Sequence, residues 1–474
     1  MSDSPSGTNI QGEAPDAEAV VETDEATITA DAELERTLGL TGGLAIGIGT
    51  MIGAGIFVFP GLAGGQVGTA ATVSFAIGGV VALLVALPTS ELATAMPKSG
   101  GGYYFISRGL GTLAGTVIGL SLWLGLVFAT AFYLVGLGFY ALDAFAEVGI
   151  TIGASPGVIV SVIAVIAGIG FTILNATGTE NAAKLQNGIV ALLLSMLVAF
   201  LGFGLLEAFG FVDAGTPPGE AANVWEVLPI MSVAALVFTS YLGFAQVATV
   251  AGEMKTPGRN LPLAMIGSVL IVTVLYVLTI FVATDVFTQQ QLLDSGETAM
   301  VEVGRQLLGT PGALVIIVGG LLATMSSANA SILSTSRAIY GVSKDALLPK
   351  WASRINLKYG TPHVALGMAG GPIVVLAATR QVQLLAEVAS FLHLIMYGLM
   401  CVALLAIRRD RPEWYDPDFV VPGGPVIPIL GALASFGLIA FMQRSSIAVG
   451  LAVIVVTAGW YFYYARDISL KGAL

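Results

Sequence analysis

Long apolar segments separated by short polar ones make up most of the chain. Twelve segments are mostly apolar and close to the length of about 20 residues that a helix needs to cross the hydrocarbon core. They fall near residues 41–59, 68–88, 113–140, 155–175, 186–209, 228–250, 261–284, 311–336, 362–378, 383–407, 424–442 and 446–465. The pattern predicts an all-α integral membrane protein with twelve transmembrane helices.

Two of these segments are interrupted near their middle. In the first, residues 47–57 contain four glycines, and each glycine costs about 1 kcal/mol relative to alanine inside a helix. In the sixth, Ser240 and Gly243 break the aliphatic pattern. Irregular backbone at membrane depth is tolerated only where it lines a cavity or is buried in protein. The two interruptions therefore predict a binding site near the middle of the membrane.

The interrupted segments occupy matching places in two halves of the chain. A polar connector follows the second segment at 96–104, and another follows the seventh at 285–310. The halves are offset by five segments, an odd number, so the second half runs in the opposite direction through the membrane. The spacing predicts two inverted repeats, near 38–210 and 225–410, which together form a ten-helix core of residues 36–410.

Composition agrees with a membrane protein and sets the N-terminus apart. Apolar residues make up 56% of the chain and charged residues 10%, whereas soluble domains carry about 25% charged residues. Residues 1–35 hold ten acidic side chains, no basic ones and no aromatics, which predicts a disordered cytoplasmic tail. We interpret this acidity as an adaptation to high salt rather than as a binding tail. Residues 411–474 are expected to hold helices 11 and 12 and a short C-terminal tail.

The distribution of lysine and arginine predicts the orientation. With both termini placed in the cytoplasm, sixteen of the 19 basic residues fall on the cytoplasmic side, and only Arg305, Arg380 and Arg444 fall outside. This split follows the positive-inside rule. We therefore expect a multi-pass protein of the cytoplasmic membrane with both termini inside.

Each interruption exposes backbone polar groups. Free amides at the start of a half-helix carry about half a positive charge, and free carbonyls at an end carry about half a negative one. Amides around 53–55 can bind a carboxylate, and carbonyls around Met51, Thr239 and Leu242 can bind an ammonium group or a metal cation. A ligand with both charges side by side fits this pair of interruptions. That description matches an amino acid.

Four motifs, in order along the chain, resemble those of the amino acid–polyamine–organocation transporters. They are GTMIGAGIF at 49–57, MPKSGG at 96–101, Gly243-Phe244 with GEMKTPGRNLP at 252–262, and Ser336-Arg337 with KDALLP at 344–349. The resemblance covers residues 36 to about 410. It implies a leucine-transporter-like fold of five plus five inverted helices with two added, alternating access, and movement of amino acids or related amines.

Carried over residue by residue, the resemblance implies a substrate site made from both interruptions. The carboxylate site falls on 52–55 and the ammonium site on Met51, Thr239 and Leu242. The predicted substrate-binding residues are Met51, Ile52, Gly53, Ala54, Gly55, Thr239, Ser240, Tyr241 and Leu242. The gating aromatic of the family falls nearest Thr239, so Phe238 and Tyr241 beside it are the gate candidates.

The resemblance also implies a candidate ion site. Sodium-coupled relatives use carbonyls that match Gly49 and Ile52, together with paired hydroxyls that match Ser326 and Ser327. Oxygen ligands of this kind suit a hard cation. We favour sodium as the coupling ion, with exchange that needs no ion as the alternative, and expect no other cofactor or metal.

The sequence thus predicts a secondary transporter for amino acids. The alternative is a sensor of the same fold that binds amino acids without moving them. An enzyme is not expected, because no nucleophile–base pair or metal cluster stands out in the membrane segments or in the short loops. The expected partners are an amino acid and the lipid bilayer, with no nucleic acid.

Overall fold

The structure, a computed structural model, describes most of the chain. The described residues are 36, 38–97, 101–177, 180–212, 225–356 and 361–470, with backbone alone for 180–187. Within these ranges the secondary structure is helical apart from two isolated bridges. The tail predicted at 1–35 lies outside the described residues.

Sixteen α-helices follow one another in the described part of the chain. They are α1 (Leu40–Met51), α2 (Gly55–Val67), α3 (Ala71–Ala95), α4 (Gly101–Leu110), α5 (Thr112–Glu147), α6 (Pro156–Ala176), α7 (Glu180–Ala208), α8 (Val227–Val237), α9 (Gln246–Thr249), α10 (Pro257–Val286), α11 (Gln289–Ser295), α12 (Ala299–Lys344), α13 (His363–Ala377), α14 (Val382–Asp410), α15 (Val426–Ile439) and α16 (Arg444–Trp460). A 3₁₀ segment, Phe238–Ala245, joins α8 to α9, and a π-helical turn, Tyr461–Ala465, follows α16.

Nine helical stretches among the described residues are long and apolar enough to cross a membrane. One of them, Gly55–Ala95, joins α2 and α3 through a single 3₁₀ turn, Gly68–Ala70. The helices α1, α13 and α15 are apolar but shorter. The all-helical membrane fold predicted from hydropathy is confirmed, and the count of twelve spans stays a prediction.

Both connectors expected to be polar loops contain helix. The first includes the start of α4, and the second folds into α11 and the start of α12. Thr288 starts α11 with a capping box, in which its amide donates to the side chain of Gln291 at 2.9 Å and its hydroxyl accepts from the amide of Gln291 at 3.3 Å. A capping box satisfies two amides at a helix start. This local signal lies in the sequence, but the polar composition of the connector obscured it.

Two groups of helices pack around the middle of the molecule. In one, α10 packs against α1 and α3, and α8 packs against α3. In the other, α5 packs against α6, α12 and α14. The 3₁₀ segment lies against α1, so both interrupted regions meet between the two groups.

A buried carboxylate joins α3 to α14 and to the loop after it. Glu91 is fully buried and accepts hydrogen bonds from the guanidinium of Arg408, the hydroxyl of Tyr415 and the amide of Val421, the last at 2.6 Å. A buried charge is tolerated when it is paired and hydrogen-bonded. The cluster therefore fixes the loop at 411–425 against the end of α3.

Removing this carboxylate is expected to destabilise the protein. Glu91→Ala leaves the guanidinium of Arg408 largely buried without its partner, and breaking a buried pair costs about 3–5 kcal/mol. We expect a clear fall in the melting temperature of the detergent-purified protein. Glu302→Ala is the matched control, because Glu302 pairs with Arg305 at 3.3 Å but is 47% exposed. Equal melting temperatures for the two variants would contradict the assignment.

Candidate functional site

The first interruption separates α1 from α2 by three residues, Ile52–Ala54. The backbone leaves the helical region at Ile52, where ψ is 82°. The amide of Gly53 turns back to the carbonyl of Met51 at 2.9 Å. In the described ranges, nothing accepts from the amide of Ala54. Gly55 starts α2, and amides of a first helical turn have no acceptor within their helix. The predicted break is thus located at 52–54, with the positive end of α2 beside it.

The second interruption has a different form from the one expected. Residues 238–245 do not uncoil but tighten into a 3₁₀ helix. Gly243 is needed there for close approach, because a Cβ atom at this position would lie 2.5 Å from Oγ1 of Thr50 and 2.6 Å from the amide nitrogen of Met51. The hydroxyl of Thr50 lies within hydrogen-bond distance of the carbonyls of Ile46, at 2.7 Å, and of Gly243, at 3.0 Å. The end of α1 and the 3₁₀ segment are therefore in direct contact.

The structure brings the predicted substrate residues together. Gly55 lies against the side chains of Ser240 and Tyr276, and Gly53 lies against Ser327 and Tyr133. Every predicted substrate residue is buried, namely Met51, Ile52, Gly53, Ala54, Gly55, Thr239, Ser240, Tyr241 and Leu242. The two segments, which are almost 190 residues apart in the sequence, form one region.

Tyrosine hydroxyls already occupy two carbonyls that were predicted to bind an ammonium group. Tyr276 donates to the carbonyl of Met51 at 3.0 Å, and Tyr397 donates to that of Leu242 at 2.8 Å. Thr239 instead donates its own hydroxyl to the carbonyl of Ala386 at 2.5 Å. Neither tyrosine could be identified from the sequence, because both lie in uninterrupted apolar helices where nothing local distinguishes them from packing residues.

A narrow cavity lies where the end of α1 contacts the 3₁₀ segment, and it shares lining residues with a wide one. The narrow cavity has a volume of about 30 Å³ and reaches Thr50, Gly243 and Ser327. The wide cavity has a volume of about 760 Å³ and extends to α4, to Glu253 and to the end of α12. Both are lined by Leu126, Leu242, Gln246, Ser334 and His393. The contact between α1 and the 3₁₀ segment is therefore reached from the side of the bundle where α4 lies.

A layer of aromatic rings covers the other side of the interruption. The rings of Phe75 and Tyr276 stack at 5.3 Å, and Tyr241 lies 5.6 Å from Tyr276 and 6.2 Å from Phe238 between ring centroids. The hydroxyl of Tyr241 donates to the carbonyl of Phe75 at 2.8 Å. The gate candidates Phe238 and Tyr241 are thus fully buried in this layer. Along the 3₁₀ segment, both come before the residues that line the cavities.

The candidate ion ligands come together only in part. The hydroxyl of Ser327 lies beside Gly53 and is buried. It has no hydrogen-bond partner in the part of the chain that the structure describes. Gly49 faces α7, where a Cβ atom at this position would lie 3.0 Å from Val190. Ser326 is 4% exposed. The sodium site stays a prediction.

Polar residues cluster at the mouth of the wide cavity. Asp345, just after α12, accepts from the hydroxyl of Tyr103 at 2.6 Å and from the guanidinium of Arg108 at 3.0 Å. Burial and the hydrogen bond to Asp345 raise the pKa of Tyr103. Tyr103 therefore stays a hydrogen-bond donor, and α4 is held to the end of α12.

Comparisons with known proteins agree on one family. A family model described as "Amino acid permease" matches residues 38–465. The branched-chain amino acid permease BcaP of Bacillus subtilis is 28% identical over 460 residues, which cover 94% of this chain and 96% of the relative. The serine/threonine exchanger SteT of the same organism is 26% identical over 444 residues, which cover 92% and 98%. The b(0,+)-type amino acid transporter 1 of Mus musculus is 27% identical over 463 residues, which cover 93% and 87%.

The one-sided cavity predicts one-sided chemical access. Cys401 is the chain's single cysteine and is buried, so Cys401→Ala gives a background without thiols. In that background we expect Ser334→Cys, which lines both cavities, to react with a water-soluble maleimide. Ser74→Cys should not react, because Ser74 is fully buried and its hydroxyl donates a hydrogen bond to the carbonyl of Ile230. Equal labelling of the two positions, read by mass spectrometry, would contradict the cavity as described.

Proposed function

The chain belongs to the amino acid permease family, since the match covers residues 38–465, and from this membership we propose that it is a secondary transporter that moves amino acids across the cytoplasmic membrane by alternating access. The observation that carries the proposal is the interruption at Ile52–Ala54, which directly follows the helix end, Gly49 and Thr50, that lines the narrow cavity. The named relatives are permeases, exchangers and transporters, which supports transport over sensing or catalysis.

The substrate carboxylate binds at the positive end of α2. The amides of Ala54 and Gly55 are the donors, because neither has an acceptor within a helix and both lie where the helix dipole favours an anion. Gly53 contributes by lacking a side chain. A Cβ atom there would lie 2.5 Å from the hydroxyl of Ser327 and would narrow the approach to these amides.

The ammonium group binds at carbonyls of the 3₁₀ segment. A carbonyl oxygen has two lone pairs. The carbonyl of Met51 already accepts from Gly53 and Tyr276, and that of Leu242 accepts from Tyr397. Leu242 lines the narrow cavity, whereas Met51 is not among the residues described as lining it, so Leu242 is the more accessible of these two acceptors for a substrate ammonium. Thr239 is the third proposed acceptor.

The present conformation is proposed to face the cytoplasm. The mouth of the wide cavity carries Arg108, Arg337 and Lys344, and positive charge is enriched on the cytoplasmic side of membrane proteins. The aromatic layer then closes the outer side. Opening this layer and closing the cavity would give the outward-facing state.

The helices can be grouped into the proposed twelve spans. Two spans combine helices across an interruption, α1 with α2 and α8 with α9, while α4 and α11 are connectors. The other ten are α3, α5, α6, α7, α10, α12, α13, α14, α15 and α16. Both termini then lie in the cytoplasm, and the first ten spans form the two inverted repeats.

Transport is tested directly with purified protein in liposomes. We expect liposomes preloaded with a mixture of amino acids to take up at least one radiolabelled amino acid faster than empty liposomes or protein-free liposomes. Uptake of none under any ion gradient or counter-substrate would contradict the proposal. Binding without uptake would favour the sensor instead.

Sodium coupling is proposed for the site formed by the carbonyls of Gly49 and Ile52 and the hydroxyls of Ser326 and Ser327. We expect the affinity for the transported amino acid to be higher in sodium chloride than in choline chloride, and Ser327→Ala to remove the difference. Ser435→Ala is the matched control, because its hydroxyl is also buried without a partner among the described residues but lies on α15, outside the cavity. Identical affinities in the two salts would rule sodium out.

A further inference from the structure

His393 lies at the point where the narrow and the wide cavity meet. It is on α14, is 3% exposed, and lines both cavities. The ring lies against α5 at Gly125, where a Cβ atom would be 3.0 Å from both Cε1 and Nδ1. Gly125 therefore makes room for the imidazole and limits its movement. A histidine in this place is positioned to contact what enters the narrow cavity.

A backbone hydrogen bond fixes which ring nitrogen carries the proton. Nδ1 of His393 lies 2.8 Å from the carbonyl oxygen of Ala389. Because a carbonyl can only accept, Nδ1 is the donor. In the neutral ring, the lone pair is then on Nε2. Within the described part of the chain nothing donates to Nε2, so the ring offers an acceptor to the cavity.

The described residues that line the narrow cavity around this acceptor carry no charged side chains, and the volume that they enclose is small. None of the residues described as lining the narrow cavity is Asp, Glu, Lys or Arg, and burying an unpaired charged group is costly. Leu126, Ala129 and Ala330 supply apolar walls. A volume of about 30 Å³ leaves room for a group of about one or two water molecules. The cavity suits a short, uncharged side chain.

We propose that His393 makes the site selective for amino acids whose short side chain carries a hydrogen-bond donor, above all a hydroxyl. The donor binds Nε2 while the zwitterion binds at the interruption. A side chain of the same shape without a donor displaces water from Nε2 and leaves its lone pair unpaired, which disfavours binding. Sites built to bind a substrate hydroxyl reject the analogue that lacks it far more strongly than an apolar pocket discriminates by size.

Threonine and valine provide the sharpest comparison, because a hydroxyl in one replaces a methyl group of the other. This inference rests on the proposed transport function, so competition against uptake of a transported amino acid in liposomes is the assay. We expect the unsubstituted protein to bind threonine at least about tenfold more tightly than valine. The inhibition constants of the two amino acids give the ratio.

Three variants separate the role of Nε2 from the shape of the pocket. His393→Phe keeps a planar ring but removes both nitrogens, and we expect the ratio to fall to about one, mainly through weaker binding of threonine. His393→Gln retains an acceptor oxygen and should keep part of the preference. Cys401→Ala is the control on the same helix, because Cys401 lies outside the lining of both cavities, and it should leave the ratio unchanged.

The outcomes distinguish this inference from the function on which it rests. If no amino acid is taken up at all, the proposed function fails. If amino acids are taken up and valine competes as well as threonine, the function stands and the role of His393 is overturned. A threonine preference that survives in His393→Phe would also overturn it, because another group must then bind the hydroxyl. Should His393→Phe fail to reach the membrane, the ratio in the unsubstituted protein and in His393→Gln decides.

Discussion

The hydrocarbon core of a bilayer offers no hydrogen-bond partner to a backbone amide or carbonyl, and this constraint governs the three residues between α1 and α2. A break in a helix at this depth has to be satisfied by the protein or by a ligand. The carbonyl of Met51 is satisfied within the protein by Gly53 and Tyr276, whereas the described residues offer no acceptor to the amide of Ala54. The asymmetry leaves donors at the positive end of α2 and makes an anionic group the natural occupant.

Tyrosines from distant parts of the chain support the interrupted helices. Tyr276 binds the carbonyl of Met51, Tyr140 that of Phe57 at 2.9 Å, and Tyr397 that of Leu242. Each phenol combines an apolar ring that packs within the bundle with a donor at its tip. The bent backbone is thus held from α5, α10 and α14 at once. Movement of α1 relative to these helices would have to break such hydrogen bonds and form others. The geometry of the site is therefore linked to the conformation of the helix bundle.

The sequence contained enough information for the fold class and for the position of the first interruption. Hydropathy is additive along the chain, and glycine acts locally, so the membrane helices and the break beside Gly53 could be predicted. The form of the second interruption could not be predicted, because Ser240 and Gly243 are compatible both with a 3₁₀ helix and with an uncoiled segment. Which one forms depends on the contact of Gly243 with Thr50 of α1. The roles of Tyr276 and of His393 likewise depend on helix register and packing, which one apolar segment does not encode.

In the proposed transporter, exposed amides at the start of α2 hold the carboxylate of a zwitterion. An experimentally determined structure of the protein with a transported amino acid, at a resolution that shows the ligand's carboxylate, tests this most directly. We expect carboxylate oxygens within hydrogen-bond distance of the amides of Ala54 and Gly55, with the ammonium group toward Leu242. A continuous helix through residues 50–55, or a ligand bound only in the wide cavity away from these amides, would contradict it.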